Sequence, residues 1–238
     1  MSTIATNIAK VGTRIREAAQ AVARDPDDVH LLAVSKTQSA DAIRQASYAG
    51  LRDFGENYLQ EALEKQAELS DLPLTWHFIG PIQSNKTKLI AEHFHWVHSV
   101  DRLKIAQRLS DQRPAYLPPL NICLQVNVSG EASKSGCDPT DVSALAHAIT
   151  ALPRLQLRGL MAIPEPTDDP AEQRAAFFRL RQLRDALGPG LDTLSMGMSQ
   201  DLEAAIAEGA TWVRIGTALF GSRTTTTPQS APAAPPHE

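Results

Sequence analysis

The chain has 238 residues, 42% hydrophobic and 21% charged, which is the composition of a soluble globular protein long enough to bury a full core without staples. A net charge of -4 offers neither the basic patch that nucleic acid wants nor the polybasic surface that anionic lipid wants. Cys123 and Cys137 lie in no CxxC pair, cannot make a disulfide framework, and read as reduced cytosolic thiols.

A leading helix is predicted over residues 3–24, where Ile4, Ile8, Val11, Ile15, Ala18 and Val22 recur at helical spacing before Pro26. It is polar and amphipathic, unlike a signal peptide, and no apolar run approaches the roughly 20 residues of a membrane span. A cytoplasmic protein is expected. Short apolar runs then alternate with helical patterns. Strands are predicted at 30–35, 53–56, 75–79, 95–100, 121–128, 157–163, 193–196 and 212–215. The helices between them fall at 39–49, 58–69, 86–93, 102–112, 140–152, 171–187 and 201–208. This βα alternation predicts an α/β fold with a parallel sheet, best fitted by a single (β/α)8 TIM barrel preceded by an extra N-terminal helix. A doubly wound sheet is the alternative, because periodicity does not show closure. Residues 224–238, rich in Pro, Thr and Ala, read as a disordered C-terminal tail, which leaves 1–223 as the barrel domain.

In a barrel, ligands bind at the C-terminal ends of the strands. Lys36 directly follows the first strand, LLAVS. There it is partly desolvated, which favours the neutral amine that attacks carbonyls, or else it pairs a carboxylate at the rim. After strand seven, Ser199 reads as the N-cap of a helix with Asp201 and Glu203 in its first turns. After strand eight, Gly216 and Thr217 open a short helical turn. Barrels frequently build phosphate sites from these two loops, where free N–H groups and the helix dipole suit an anion. Arg214 lies within strand eight, and if it faces inward it needs an acceptor, either a pyridine nitrogen or a carboxylate.

In order along the chain, LLAVSK ending at Lys36, DFGENYLQEALEK from Asp53, WHFIGPIQSNK from Trp76, SKSG at 133–136, RGLMAI from Arg158, LSMGMSQDLEAAIAEG from Leu194 and VRIGTALFG from Val213 resemble the pyridoxal phosphate homeostasis protein family. The resemblance covers about residues 1–223. It implies a barrel like the N-terminal domain of alanine racemase, with pyridoxal 5′-phosphate (PLP) held as a Schiff base on Lys36. It implies Asn57 near the cofactor, Arg214 facing the pyridine nitrogen, and Ser199, Gly216 and Thr217 around the phosphate. Ser195, Met198, Ile79 and Gly80 are weaker candidates.

An arginine stays protonated, so the ring nitrogen opposite it stays unprotonated and the ring is a poor electron sink. Alanine racemase overcomes this with a tyrosine from a second domain and subunit. Here the sequence ends soon after strand eight, and of the tyrosines Tyr48, Tyr58 and Tyr116 only Tyr58 falls near the mouth, where it is expected to begin a helix and pack. The expectation is therefore a monomeric carrier, not an enzyme, that buffers PLP and delivers it to apo-enzymes. Lys134, Lys86 and Lys88 are candidates for a second lysine in transfer. The alternatives are a PLP-dependent racemase or lyase, or a cofactor-free aldolase using Lys36 with Glu56 as acid–base. Glu56 is otherwise expected to support the site from behind. The run His93, His95, His98 would point in different directions and is not expected to hold a metal, and His77 reads as a hydrogen-bonded barrel residue.

Overall fold

The computed structural model describes residues 3–130 and 135–221. The strands are β1 (His30–Val34), β2 (Asp53–Glu56), β3 (Thr75–Phe78), β4 (Trp96–Val100), β5 (Leu120–Gln125), β6 (Leu155–Met161), β7 (Thr193–Ser195) and β8 (Trp212–Ile215). Each pairs in parallel with the next, and β8 pairs with β1 through Leu32 and Arg214, so the sheet closes. Closure settles the choice against a doubly wound sheet. The helices that follow the strands are α2 (Ala40–Tyr48), α3 (Leu59–Glu68), α4 (Thr87–His93), α5 (Leu103–Gln112), α6 (Val142–Thr150), α7 (Pro170–Ala186), α8 (Leu202–Ala207) and α9 (Thr217–Phe220). The 224–238 segment and Lys134 lie outside the described residues.

Side-chain alternation along each strand divides the protein into two packed regions. Outward residues such as Ala33, Phe54, Phe78, Val97, Leu124, Leu194 and Val213 meet the buried faces of the helices in one large core. Phe54 and Phe177 are fully buried there, and truncating either to alanine should cost about 3–5 kcal/mol. Inward residues form smaller clusters, Leu32 with Ile79 and Trp212, and Trp96 with Cys123 and Met161.

The leading helix α1 (Thr3–Ala21) ends earlier than its apolar spacing predicts. Ala23 adopts a left-handed conformation at φ 55 and the Arg24 N–H donates to the Ala19 carbonyl, closing the helix before Pro26. Strand β5 also stops short, at Gln125. Val126 bridges Cys137 in the chain's own downstream loop, and the Asn127 N–H donates to the Cys137 carbonyl.

Helix α1 packs against α8 and α9 through Val11, Ile15 and Ala19. Asn7 donates to the Leu219 carbonyl, Arg14 donates to the Ser199 carbonyl and pairs with Glu203, and Arg24 donates to the carbonyls of Ile206 and Ala210. The extra helix thus pins the segments that follow β7 and β8.

Candidate functional site

Leu32 and Val34 face the barrel interior, Ser35 faces out toward α3, and Lys36 follows half-buried at the C-terminal rim. The turn that carries Lys36 is clamped from α3. Lys65 Nζ donates to the Ser35 carbonyl at 2.8 Å, and the Thr37 N–H donates to Glu61 Oε1 at 2.6 Å. Thr37 is held at φ 64, a left-handed conformation that a β-branched residue adopts only under constraint. Lys65 also pairs with Glu61 and, at 2.9 Å, with the fully buried Glu56, whose Oε1 accepts from the Ser35 hydroxyl at 2.6 Å. Burial pushes the Glu56 carboxyl up, while the Lys65 charge pulls it back. Glu56 therefore supports the turn from behind, as expected. It faces away from the mouth, so it cannot be the acid–base partner that the aldolase reading requires. Sequence reasoning missed Lys65. Its only trace was an acidic residue four positions earlier, a spacing common on any helix.

Asn57 follows β2, and its Oδ1 is buried without a hydrogen-bond partner. A buried carbonyl oxygen with no partner is costly unless a ligand supplies the donor. Gly80, after β3, lies so close that a Cβ there would come within 2.4 Å of the Asn57 carbonyl oxygen. Ser99 holds the Gly80 carbonyl at 2.6 Å, so β3 and β4 together fix the place of Asn57. Ile79 lies just inside the barrel beside Leu32 and Trp212.

Arg214 faces the barrel interior and is buried. One nitrogen donates to Ser195 Oγ at 2.9 Å and the other to the Ala162 carbonyl at 2.9 Å. Both acceptors are neutral, so the alternative of a direct carboxylate pair does not hold. Burial lowers its pKa to about 10, partly offset by the charge of Asp201, which leaves the guanidinium protonated at neutral pH. Further N–H groups remain beyond these two contacts.

Ser199 is not a helix N-cap. It lies in a turn, and α8 starts at Leu202 with Asp201 in the cap position. The reason is local: the Asp201 carboxylate accepts from the Met198 N–H at 2.6 Å, so the loop folds back on itself before the helix can begin. Met198 itself is exposed. Gly216 does cap a helix, the single turn α9, with exposed Thr217 at its first position. The N–H groups of Thr217 and Ala218 have no intrahelical acceptor by their position. A Cβ at Gly216 would lie 3.2 Å from the Val34 carbonyl, so this turn abuts the end of β1 just below Lys36. Lys36, Asn57, Arg214, Gly216 and Thr217 are thus brought to one end of the barrel, with Ser199 on the neighbouring loop.

Tyr58 stands at the start of α3 but is 55% exposed, so it does not pack as expected. Lys86 and Lys88 are exposed, and Lys88 pairs with Glu92. His98 is buried in the barrel, His95 accepts from the Trp76 N–H, and His93 ends α4. Among the described residues no group of three or more metal-ligating side chains occurs. A cavity of about 640 Å³ opens at the opposite, N-terminal end, lined by His30, Trp96, Arg158, Asp192 and Trp212. Arg158 pairs with Asp192 in its wall, and ligand chemistry in barrels belongs to the other end.

The family model described as "Alanine racemase, N-terminal domain" matches residues 7–224. The pyridoxal phosphate homeostasis protein of Pseudomonas aeruginosa is 78% identical over 223 residues, covering 94% of this chain and 97% of the relative. The chain belongs to the pyridoxal phosphate homeostasis protein family. Among solved structures, PipY of Synechococcus elongatus PCC7942, determined with PLP bound, is 46% identical with a TM-score of 0.76, covering 87% of this chain and all of that one. Alanine racemase from Corynebacterium glutamicum shares the fold at a TM-score of 0.67 and 17% identity, and the match covers 92% of this family member but 61% of the racemase.

Proposed function

We propose that this protein binds pyridoxal 5′-phosphate at the C-terminal mouth of the barrel, covalently through Lys36, and buffers or delivers it without substantial catalysis of its own. The observation that carries the reading is Arg214, a buried cation with neutral partners, one strand from the lysine and below the rim. The donor set fits the cofactor's groups. Lys36 supplies an amine for the aldehyde. Arg214 offers an N–H to the pyridine nitrogen. The unpartnered Asn57 Oδ1 accepts from a ring substituent, and the Gly216–Thr217 turn, with the Ser199 loop beside it, offers N–H and hydroxyl donors to the phosphate.

When bound, PLP supplies a reactive aldehyde and an electron-withdrawing ring. Arg214 stays protonated and so keeps a proton off the ring nitrogen, which weakens that withdrawal and disfavours a racemase or lyase. The clamp of Lys65 and Glu61 holds the Lys36 turn, and α1 holds the phosphate-side loops. The recipients we propose are apo-enzymes that need PLP. We further propose a cytoplasmic monomer, in keeping with the net charge of -4 and with the absence, among the described residues, of any helix long and apolar enough to cross a membrane.

The test is the visible absorbance of the purified protein beside Lys36→Ala, before and after borohydride. The expected result is a yellow band lost on reduction, with the cofactor fixed to the peptide that carries Lys36. A colourless wild type that takes up no added PLP would overturn the proposal.

A further inference from the structure

A line of polar side chains runs through the barrel interior, where apolar packing is the rule. Asp53 on β2 accepts from His77 on β3, Oδ1 to Nε2 at 3.0 Å. His77 Nδ1 meets His98 Nε2 on β4 at 3.0 Å, and His98 Nδ1 meets Ser195 Oγ on β7 at 2.7 Å. Ser195 Oγ accepts from Arg214 on β8. His77, His98, Ser195 and Arg214 are buried, and the Asp53 carboxylate reaches partial exposure at the N-terminal end of the barrel. The indoles of Trp96 and Trp212 pack on the two imidazoles, with centroids 4.9 to 6.4 Å apart.

The two ends of this line fix its direction. A guanidinium only donates, so Ser195 Oγ accepts from Arg214; with both rings neutral and Asp53 accepting from His77, the Ser195 hydroxyl is left to donate to His98 Nδ1. His98 then carries its proton on Nε2 and donates it to His77 Nδ1. His77 in turn carries its proton on Nε2 and donates to the Asp53 carboxylate. Every link is filled once, in one sense. Burial favours the neutral form of both rings.

We infer that Ser195, His98, His77 and Asp53 are positioning residues for Arg214, a one-way hydrogen-bond relay along the barrel that fixes which guanidinium edge is presented to the cofactor ring. The role rests on the cofactor reading above, although the relay itself does not. If Ser195 offered no acceptor, a buried N–H of Arg214 would be unsatisfied and the guanidinium would turn to find another. No proton moves in this scheme. The relay orients.

The experiment uses the full chain labelled with ¹⁵N-histidine at neutral pH, with and without added PLP. Both His77 and His98 should be neutral with the proton on Nε2 in either state. Asp53→Asn, whose side-chain carbonyl still accepts, should keep both tautomers, whereas Asp53→Leu should release that of His77. Ser195→Ala should weaken PLP binding roughly tenfold, as loss of a hydrogen bond to a charged group does, and should shift the visible band of the bound cofactor. A purely packing role would not move that band. Either ring protonated on Nδ1 or on both nitrogens, or Ser195→Ala with wild-type band and affinity, would overturn the inference. A wild type with the stated tautomers that takes up no PLP refutes the cofactor reading instead, and with it the ring-facing role, while the tautomers establish the relay.

Discussion

Replacing Lys65 with methionine should expose how the lysine turn is held. Lys65 Nζ sits between the Ser35 carbonyl, Glu56 and Glu61, and Glu56 is fully buried. Lys65→Met keeps most of the side-chain volume and strands the Glu56 carboxylate in the protein interior. Removing one partner of a buried pair costs about 3–5 kcal/mol, and the Ser35 carbonyl also loses its donor. The Lys36 turn should loosen as well, so PLP uptake should fall together with stability. The pH dependence has a definite sign. Burial already holds the folded-state pKa of Glu56 above its ordinary value, and Lys65 is the largest influence opposing that rise. A carboxyl with a raised folded pKa binds more protons folded than unfolded, so its penalty is absent below the ordinary carboxylate range, grows as pH rises from that range to the folded pKa, and is constant above it. Without Lys65 the rise is larger. The deficit should therefore be greatest at neutral pH and shrink on acidification. Adding Glu56→Gln removes the stranded charge while still accepting from Ser35, and should recover at least about half of the loss. Urea unfolding at a series of pH values measures all of this. A Lys65→Met cost below about 1 kcal/mol at neutral pH, or one that grows on acidification, would refute the argument.

Gly80→Ala places a Cβ against the Asn57 carbonyl oxygen and should cost about 1–3 kcal/mol by overpacking, with weakened PLP uptake in spectral titration because Asn57 is displaced. Arg14→Ala breaks a largely exposed pair with Glu203, so the melting midpoint should barely move, but it also frees the Ser199 carbonyl, so the Kd for PLP should rise; an unchanged Kd would count against a role for that loop. Burial pushes the Cys123 thiol up to about 12 and Cys137 up to about 11, so neither should label at neutral pH until the protein unfolds, which a thiol reagent followed with and without denaturant would check.

The barrel was legible because short apolar strands alternate with amphipathic helices, signals that depend on neighbours in sequence. Lys36 was legible for the same reason, as a lysine one step past a strand end. Ser199 was misread because the competing bond from Asp201 to the Met198 N–H is invisible in the residue pattern, where serine before acidic residues looks like a cap. The end of β5 was misread because the alternating pattern of ICLQVNV continues past Gln125, although from Asn127 on the backbone pairs with Cys137 rather than with β6. Lys65 was missed because, apart from Glu61 four residues earlier on the same helix, its partners are the Ser35 carbonyl just past β1 and Glu56 on β2, which only the folded barrel brings to α3.

The same limit explains the interior line of polar residues and shows why it is worth its cost. A barrel filled only with apolar side chains could not hold a charged guanidinium below its rim, since a buried arginine needs acceptors and a fixed place for each. The Ala162 carbonyl provides one, and Ser195 the other. A serine alone would leave its own proton free to choose. The two histidines remove that choice, because each passes on one hydrogen bond for each it receives, until the sequence ends on a carboxylate that reaches solvent. At the other end, the Asp53 carboxylate is 31% exposed and keeps part of its hydration, which limits the cost of placing its charge there. The carboxylate stays at the wet end, the cation stays at the cofactor end, and two neutral imidazoles carry the orientation between them.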